Sequence, residues 1–500
     1  MKRVGVLGLG LGLGLAFITC TVPDIEELEE ESPSGCNADH PCDVRVLLTY
    51  DGFRPGCVTL RLVDVEDPSR TLELPVDPPA AEASGRRETG FVRRSGWSST
   101  VKVTASAREQ SCTGQVVASA TADKVLIPDE GTADVALTLS ATDEDGDGYV
   151  SEDSGGSDCD DHVASISKGM AERCDFLDND CDHTVDPAPV CNGVEWRTAL
   201  FLEASSFRDV APHARGRAWF VSENDNVVAY VHREADGGVQ VQRFTDCLGG
   251  WSTAWARPSD GRVFMGSWEG RLATRTTVAS EPCSRAAFDG GSAAIQDIVG
   301  FEQDGGTTLY AVNEAGDVVR WDYPAPPVRV AHVDADLRSI HGTEPKTLLT
   351  VGYAVNGDVS TAYPVAYRPN PDGGAWLQES LPPPSAGQHA LHSVHVVSPA
   401  LAYAAGDQGL LLEREGGVWR AKPSYPIYVD GGVSPDIFDV VAFGRTAVFA
   451  RLSSDDLVRF DGEQWRDFLF GTQGFTTLEG LTSDELWSAT QDGTGFHWGP

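Results

Sequence analysis

Residues Leu391 to Trp419 read LHSVHVVSPALAYAAGDQGLLLEREGGVW. Leu391, Ser393 and Val394 open a short strand in the order apolar, any residue, small polar, apolar. AYAAGDQGLLLER then supplies a second strand, a Gly- and Asp-rich turn and a third strand, and Trp419 opens a fourth. Four short strands within about 45 residues make one blade of a propeller.

Outward from this stretch the opening signature recurs. It reads Phe207, Asp209, Val210; Trp251, Thr253, Ala254; Ile295, Asp297, Ile298; and Leu337, Ser339, Ile340 before Leu391, then Ile437, Asp439, Val440 and Phe475, Thr477, Leu478 after it. Seven copies at intervals of 38 to 54 residues predict a seven-bladed β-propeller over residues 192–500. Trp376, Trp419 and Trp465 mark fourth strands, but the seventh repeat stops after its third strand at Phe496, His497 and Trp498. GVEWRTALFLE at 193–203 places Trp196 where the other repeats carry that tryptophan. Pairing of the two ends would satisfy the backbone groups of an otherwise bare edge.

Upstream, between Asp143 and Asp186, acidic residues recur at alternate positions with three cysteines interleaved and a fourth, Cys191, just beyond. DEDGDGY puts Asp143, Asp145 and Asp147 at positions 1, 3 and 5 of a calcium loop, Gly148 at the turn and the Tyr149 carbonyl next. Position 12 is Ser154, with Asp153 one residue early, so Asp158, Asp160 or Asp161 must close the shell. A second run, CDFLDNDCDHTVD, places Asp178, Asp180 and Asp182 at positions 1, 3 and 5 and Asp186 at position 9. Unpaired carboxylates this close repel one another by several kcal/mol at low effective dielectric, so a compact loop needs a hard cation to neutralise it. Calcium, in a structural role, is the expected ion.

The run from Asp143 to Asp186 resembles the MopE-type metal-binding motif of bacterial secreted proteins, roughly DxDGDGY, then DCDD, then PGAxExCDGxDNDCDGxxDE. The resemblance covers about 45 of 500 residues. Three positions depart from it: Phe176 and His183 stand where the pattern has Gly, and Lys168, Gly169 and Met170 replace the PGA triplet. The family's name implies copper, yet Cu(I) favours Cys, Met and His, whereas this segment supplies carboxylate and backbone oxygens.

Residues 36–140 alternate in short runs, Val44 to Leu48, Val58 to Val63, Thr100 to Ala105, Val116 to Ala120 and Ala133 to Leu139, between Pro, Gly and Ser clusters. This pattern predicts a β-sandwich, for which immunoglobulin topology is an analogy, so the chain reads as all-β throughout. Residues 75–97 read as a long loop holding Arg86, Arg87, Arg93 and Arg94. TVPDIEELEEESPSG at 21–35 is an acidic tether.

Residues 1–20 begin with Lys2 and Arg3 and continue in an apolar run from Val4 to Thr19, too short to span a bilayer, as an export signal does. Its end, Phe17 to Cys20, resembles a bacterial lipobox, which implies lipidation at Cys20. Thr21 rather than Asp after it favours the outer membrane or cell surface of a bacterial envelope. Eleven cysteines less Cys20 leave an even number, which suits disulfides in an oxidising compartment. Cys36 with Cys42, Cys57 with Cys112 as a staple between the two sheets, and Cys247 with Cys283 are the expected pairs. Cys159, Cys174, Cys181 and Cys191 admit three connectivities.

A formal charge of -37 excludes nucleic acid as a partner. His389, His392 and His395 lie three apart on an inner strand, where alternating side chains cannot share one ion, and His341 occupies the repeat position of His395. Nucleophile elbows, zinc-protease helices and phosphate loops are missing from the sequence. The expectation is a monomeric, membrane-anchored calcium-binding scaffold or recognition protein for a protein or glycan ligand, not an enzyme. The alternative is a propeller-based hydrolase or lyase acting on extracellular glycan, marked by carboxylates of separate blades converging with a basic residue.

Overall fold

Alternating burial begins at Val44. The structure, a computed structural model, describes residues 42–76, 83–203, 205–224, 226–234, 237–286, 292–303, 305–356, 362–426, 433–469 and 474–500. The expected export signal with Cys20, the expected tether and Cys36 lie outside the described residues; Cys42 is disulfide-bonded.

Seven strands form the first domain: β1 (Val44–Asp51), β2 (Cys57–Asp64), β3 (Thr71–Val76), β4 (Gly85–Phe91), β5 (Thr100–Arg108), β6 (Val116–Leu126) and β7 (Ala133–Ser140). They make two sheets, β4-β1-β7 and β3-β2-β5-β6, with β1 and β7 parallel and the other pairs antiparallel. The immunoglobulin split pairs the first strand with the second; this sandwich does not. Val44, Val46, Leu48 and Tyr50 face Leu60, Leu62, Val101, Val103 and Ala105 in its core.

Two expectations are corrected here. Residues 75–97 are not one loop, because Gly85–Phe91 is strand β4; it escapes the apolar pattern because an edge strand reading GRRETGF buries only Gly90 and Phe91. Arg86 and Arg87 therefore lie on a sheet edge, where charge discourages strand addition. Cys57 does bond to Cys112, but it begins β2 while Cys112 follows β5, a neighbour in the same sheet. The bridge ties the β5–β6 turn to β2 rather than one sheet to the other.

From β8 (Glu195–Phe201) onward every strand among the described residues belongs to one of seven four-stranded antiparallel sheets. Their first strands are Phe207–Ala214, Trp251–Ala256, Ile295–Gln303, Asp336–His341, Leu391–Val396, Ile437–Ala442 and Phe475–Thr482. Each packs beside the next and the last returns to the first, closing the ring of a β-propeller. The last sheet is completed by β8, which pairs antiparallel with Thr494–Gly499 and sets Trp196 opposite Trp498. Cys247 bonds to Cys283, joining the loops that precede the first and last strands of the second sheet.

The repeat signature has a physical cause. In every first strand the register slips at the residue after the opening apolar one, so that residue is a bulge and the small polar residue follows it toward the axis. These polar side chains stitch neighbouring sheets. Asp209 accepts the Ala254 N–H at 2.8 Å, Asp297 the Ile340 N–H at 2.8 Å, Ser339 the Val394 N–H at 3.2 Å and Ser393 the Val440 N–H at 3.0 Å. Thr477 donates to Asp209 at 2.9 Å across the closing junction. Loss of one such partner leaves a buried donor bare, at about 1–3 kcal/mol.

Candidate metal centre

Residues 141–194 contain almost no regular structure beyond a single 3-10 turn at Glu152–Ser154. Carboxylates and two disulfides organise them instead. Cys159 bonds to Cys181 and Cys174 to Cys191, which selects one of the three open connectivities.

In the first loop each carboxylate uses one oxygen to hold the backbone. Asp143 Oδ1 accepts the Gly146 N–H at 2.9 Å, Asp145 Oδ1 that of Asp147 at 3.1 Å, Asp147 Oδ1 that of Tyr149 at 2.7 Å and Asp158 Oδ1 that of Asp160 at 2.9 Å. Asp161 Oδ1 accepts from Glu144 N at 3.0 Å and draws the later acids onto the loop. The second oxygens of Asp145, Asp147 and Asp158 are buried and have no hydrogen-bond partner. Asp158 itself is only 1% exposed. Oxygens of Asp143, Asp145 and Asp147 lie within 4.8 Å of one another.

Burial pushes these acids up, and their mutual repulsion adds to it: Asp145 to about 7, Asp158 to about 8 and Asp161 to about 6, with Asp143 and Asp147 raised as well. Such a shell destabilises its own charge until a cation enters. Gly148 turns the chain at φ 92°, and a Cβ there would meet the Gln110 side chain of the sandwich.

Two residues expected in this shell stand apart. Asp153 is exposed on the 3-10 turn, which swings it away from the loop interior. Asp160 is buried but turned to His162 Nδ1 at 3.2 Å and Arg445 Nε at 3.6 Å, so it serves the contact with the propeller.

The second loop is looser. Oxygens of Glu172, Asp178 and Asp180 come together, all partly buried, and Asp180 Oδ1 has no partner. Asp182 is exposed and accepts the Thr184 N–H, and Asp186 is spent accepting the N–H groups of Asp175 and Phe176 at 3.0 Å each. Glu172 was not singled out from sequence, although it is the Glu of the pattern ExCD. Its oxygens also accept from Asp180 N and Asp186 N at 3.1 Å each. Asp186 approaches the sulfurs of Cys174 and Cys191, but these are joined in a disulfide and offer no thiolate.

The departures from the family pattern turn out to be informative. Phe176 and His183 occupy the glycine positions and keep the left-handed backbone, at φ 61° and 71°. Phe176 uses that conformation to enter the propeller, edge-on to Phe449 at 5.5 Å and Phe468 at 5.7 Å and stacked on Trp498 at 6.0 Å, with the Arg459 guanidinium 4.5 Å from its ring centre. Thr446 Oγ1 donates to the Phe176 carbonyl at 2.8 Å, and Ile166 and Leu177 join the same apolar cluster. On the other side Val150 is buried in the sandwich core, and Glu109 accepts its N–H at 3.2 Å. The acidic segment is thus a joint seated on both domains.

Every candidate donor in both loops is oxygen, and the cysteines nearby are bridged, which suits a hard cation and not Cu(I). Residues 158–187 match the family Cu-binding MopE, described as "Putative metal-binding motif". That match includes Asp158 and the second loop and stops short of Asp143, Asp145 and Asp147. No curated protein matches the chain. Three solved structures are similar to it over 61% of its length, each with a TM-score of 0.45: YCF48 bound to D1 peptide (14% identity, 97% of that chain), YCF48 from Cyanidioschyzon merolae (12%, 99%) and the WD40 beta propeller domain of Doa1 (10%, 96%).

Proposed function

We propose that this chain is an exported recognition protein of a bacterial envelope, anchored through lipid on Cys20, in which a calcium-braced joint holds a seven-bladed propeller at a fixed attitude to the sandwich. The observation that carries the reading is the set of buried, partnerless oxygens on Asp145, Asp147 and Asp158. Asp143 and Asp161 would complete this calcium shell, and Glu172, Asp178 and Asp180 would hold a second ion. Bound calcium supplies positive charge and a common focus for the loop oxygens. The chain's own residues do the rest: Val150 and Phe176 fix the joint at its two ends, and Arg445 pairs with Asp160. A preset angle between domains lowers the ordering cost of binding. Limited proteolysis tests this. Chelator should expose the segment 141–191 to cleavage that calcium prevents, and equal cleavage with and without calcium would refute the brace.

A second reading has one observation in its favour. Asp209, Asp297, Asp439 and Glu479, from four different sheets, line a single central channel together with Arg338 and Arg451. Burial raises Asp209 to about 7, and burial reinforced by the neighbouring acids holds Glu479 well above the usual range. An acid held protonated in a channel can act as the general acid that glycan hydrolysis uses. Release of reducing ends from an acidic polysaccharide, abolished by E479Q, would establish it; no release by the native chain would exclude it.

A further inference from the structure

The bulge residues of the first strands project at the strand starts and form one mouth of the central channel. Arg208, Gln296, Arg338 and His392 line it, above a cavity of about 660 Å³. The strand ends lie toward the joint, where His162 and Val163 share a smaller cavity with His341 and His395. A ligand therefore enters from the mouth.

Most charge at that mouth is paired, with Arg208 and the Asp455 carboxylate the exceptions among the described lining residues. Arg338 lies 2.7 Å from Asp336, His392 2.7 Å from Asp407 and Arg451 2.5 Å from Asp439. Among the described residues Arg208 has no carboxylate within ion-pair distance; its guanidinium lies 5.4 Å from the ring centre of Trp268, which is 38% exposed. A cation outside any ion pair and beside an aromatic ring, in a protein of charge -37, is a place for one negative charge and no more. A dianion would meet the acids deeper in the channel. Around the cation the lining offers the neutral hydrogen-bonding amides of Gln296 and Gln491. The volume falls in the range of about 300–1,000 Å³ typical of small-molecule sites.

We infer that this mouth binds a hydroxyl-rich monocarboxylate, a sugar acid or the acidic residue of an oligosaccharide, with Arg208 pairing its carboxylate and Trp268 stacking on its ring. The inference rests on the recognition reading above and gives that reading a ligand class and a place.

Calorimetric titration of the full calcium-loaded chain with galacturonate, neutral galactose and inorganic phosphate tests it. Galacturonate should bind at least tenfold more tightly than either of the others, and R208Q and W268A should each weaken it at least tenfold. The exposed W268A serves where R208Q perturbs folding, and R86Q on the sandwich should change nothing. No binding of galacturonate, equal binding of galactose or phosphate, or unchanged affinity in both variants would overturn the assignment. Calcium titration of the same sample is scored separately, so a channel without sugar and a joint without metal give different results.

Discussion

Phe176 concentrates the argument about the joint in one side chain, and its substitution gives an unusual ordering. Truncating a buried Phe to Ala costs about 3–5 kcal/mol; Phe176 is only partly buried, which places F176A nearer about 2–3 kcal/mol once its aromatic and cation-π contacts are included. Its φ of 61° adds a second effect. Ala in the left-handed region carries about 1 kcal/mol of strain that Gly does not, so F176G should be the milder variant by about that amount. This reverses the usual preference for Ala over Gly. Because three structural units need not unfold together, the readout is local: native-state hydrogen exchange of joint amides in saturating calcium. F176A within 1 kcal/mol of the native chain, or F176G more damaging than F176A, would refute the proposed seating of the joint.

D158N should lower calcium affinity at least tenfold by calorimetry, whereas D153N should leave it unchanged, since Asp153 stands exposed outside the loop. In chelator the joint should lose hydrogen-exchange protection as pH rises. Asp161, Asp145 and Asp158 have folded values of about 6, 7 and 8 against an ordinary 3.8, so between about pH 4 and pH 8 the folded form holds the extra protons and stability falls with pH; calcium should remove the dependence, and its persistence in calcium would count against the shell. D209A should lower propeller stability by about 2 kcal/mol in calorimetric melts, because the Ala254 N–H and the Thr477 hydroxyl lose their acceptor. H183G, at φ 71° on an exposed turn, should be neutral or stabilising by up to about 1 kcal/mol, and clear destabilisation would mean that the imidazole has a role of its own.

The propeller was legible because its signature is a physical device repeated seven times: the apolar residue packs between sheets, the next bulges, and the small polar one bonds to the neighbouring sheet. The missing fourth strand of the last repeat was legible for a similar reason, since an open edge demands a partner and Trp196 marks it. Strand β4 was not, because only its last two residues are buried. Nor was the role of Cys112, which sequence places near Cys57 without saying whether they share a sheet. In the first loop the alternating acids announced themselves, but spacing alone could not separate Asp158 and Asp161, which face inward, from Asp160, which a single peptide step turns toward Arg445. In the sequence Phe176 stands only as a departure from the motif; its partners Phe449, Phe468 and Trp498 lie more than 270 residues away in sequence, beyond the reach of any local pattern.

The central claim is that the acid-dense joint folds around a captured divalent cation. Calorimetric titration of the chelator-treated full chain with calcium tests it most directly. The account predicts saturable calcium binding whose tightest site disappears in D158N. Absence of any binding heat, with joint amides equally protected in chelator and in calcium, would contradict it.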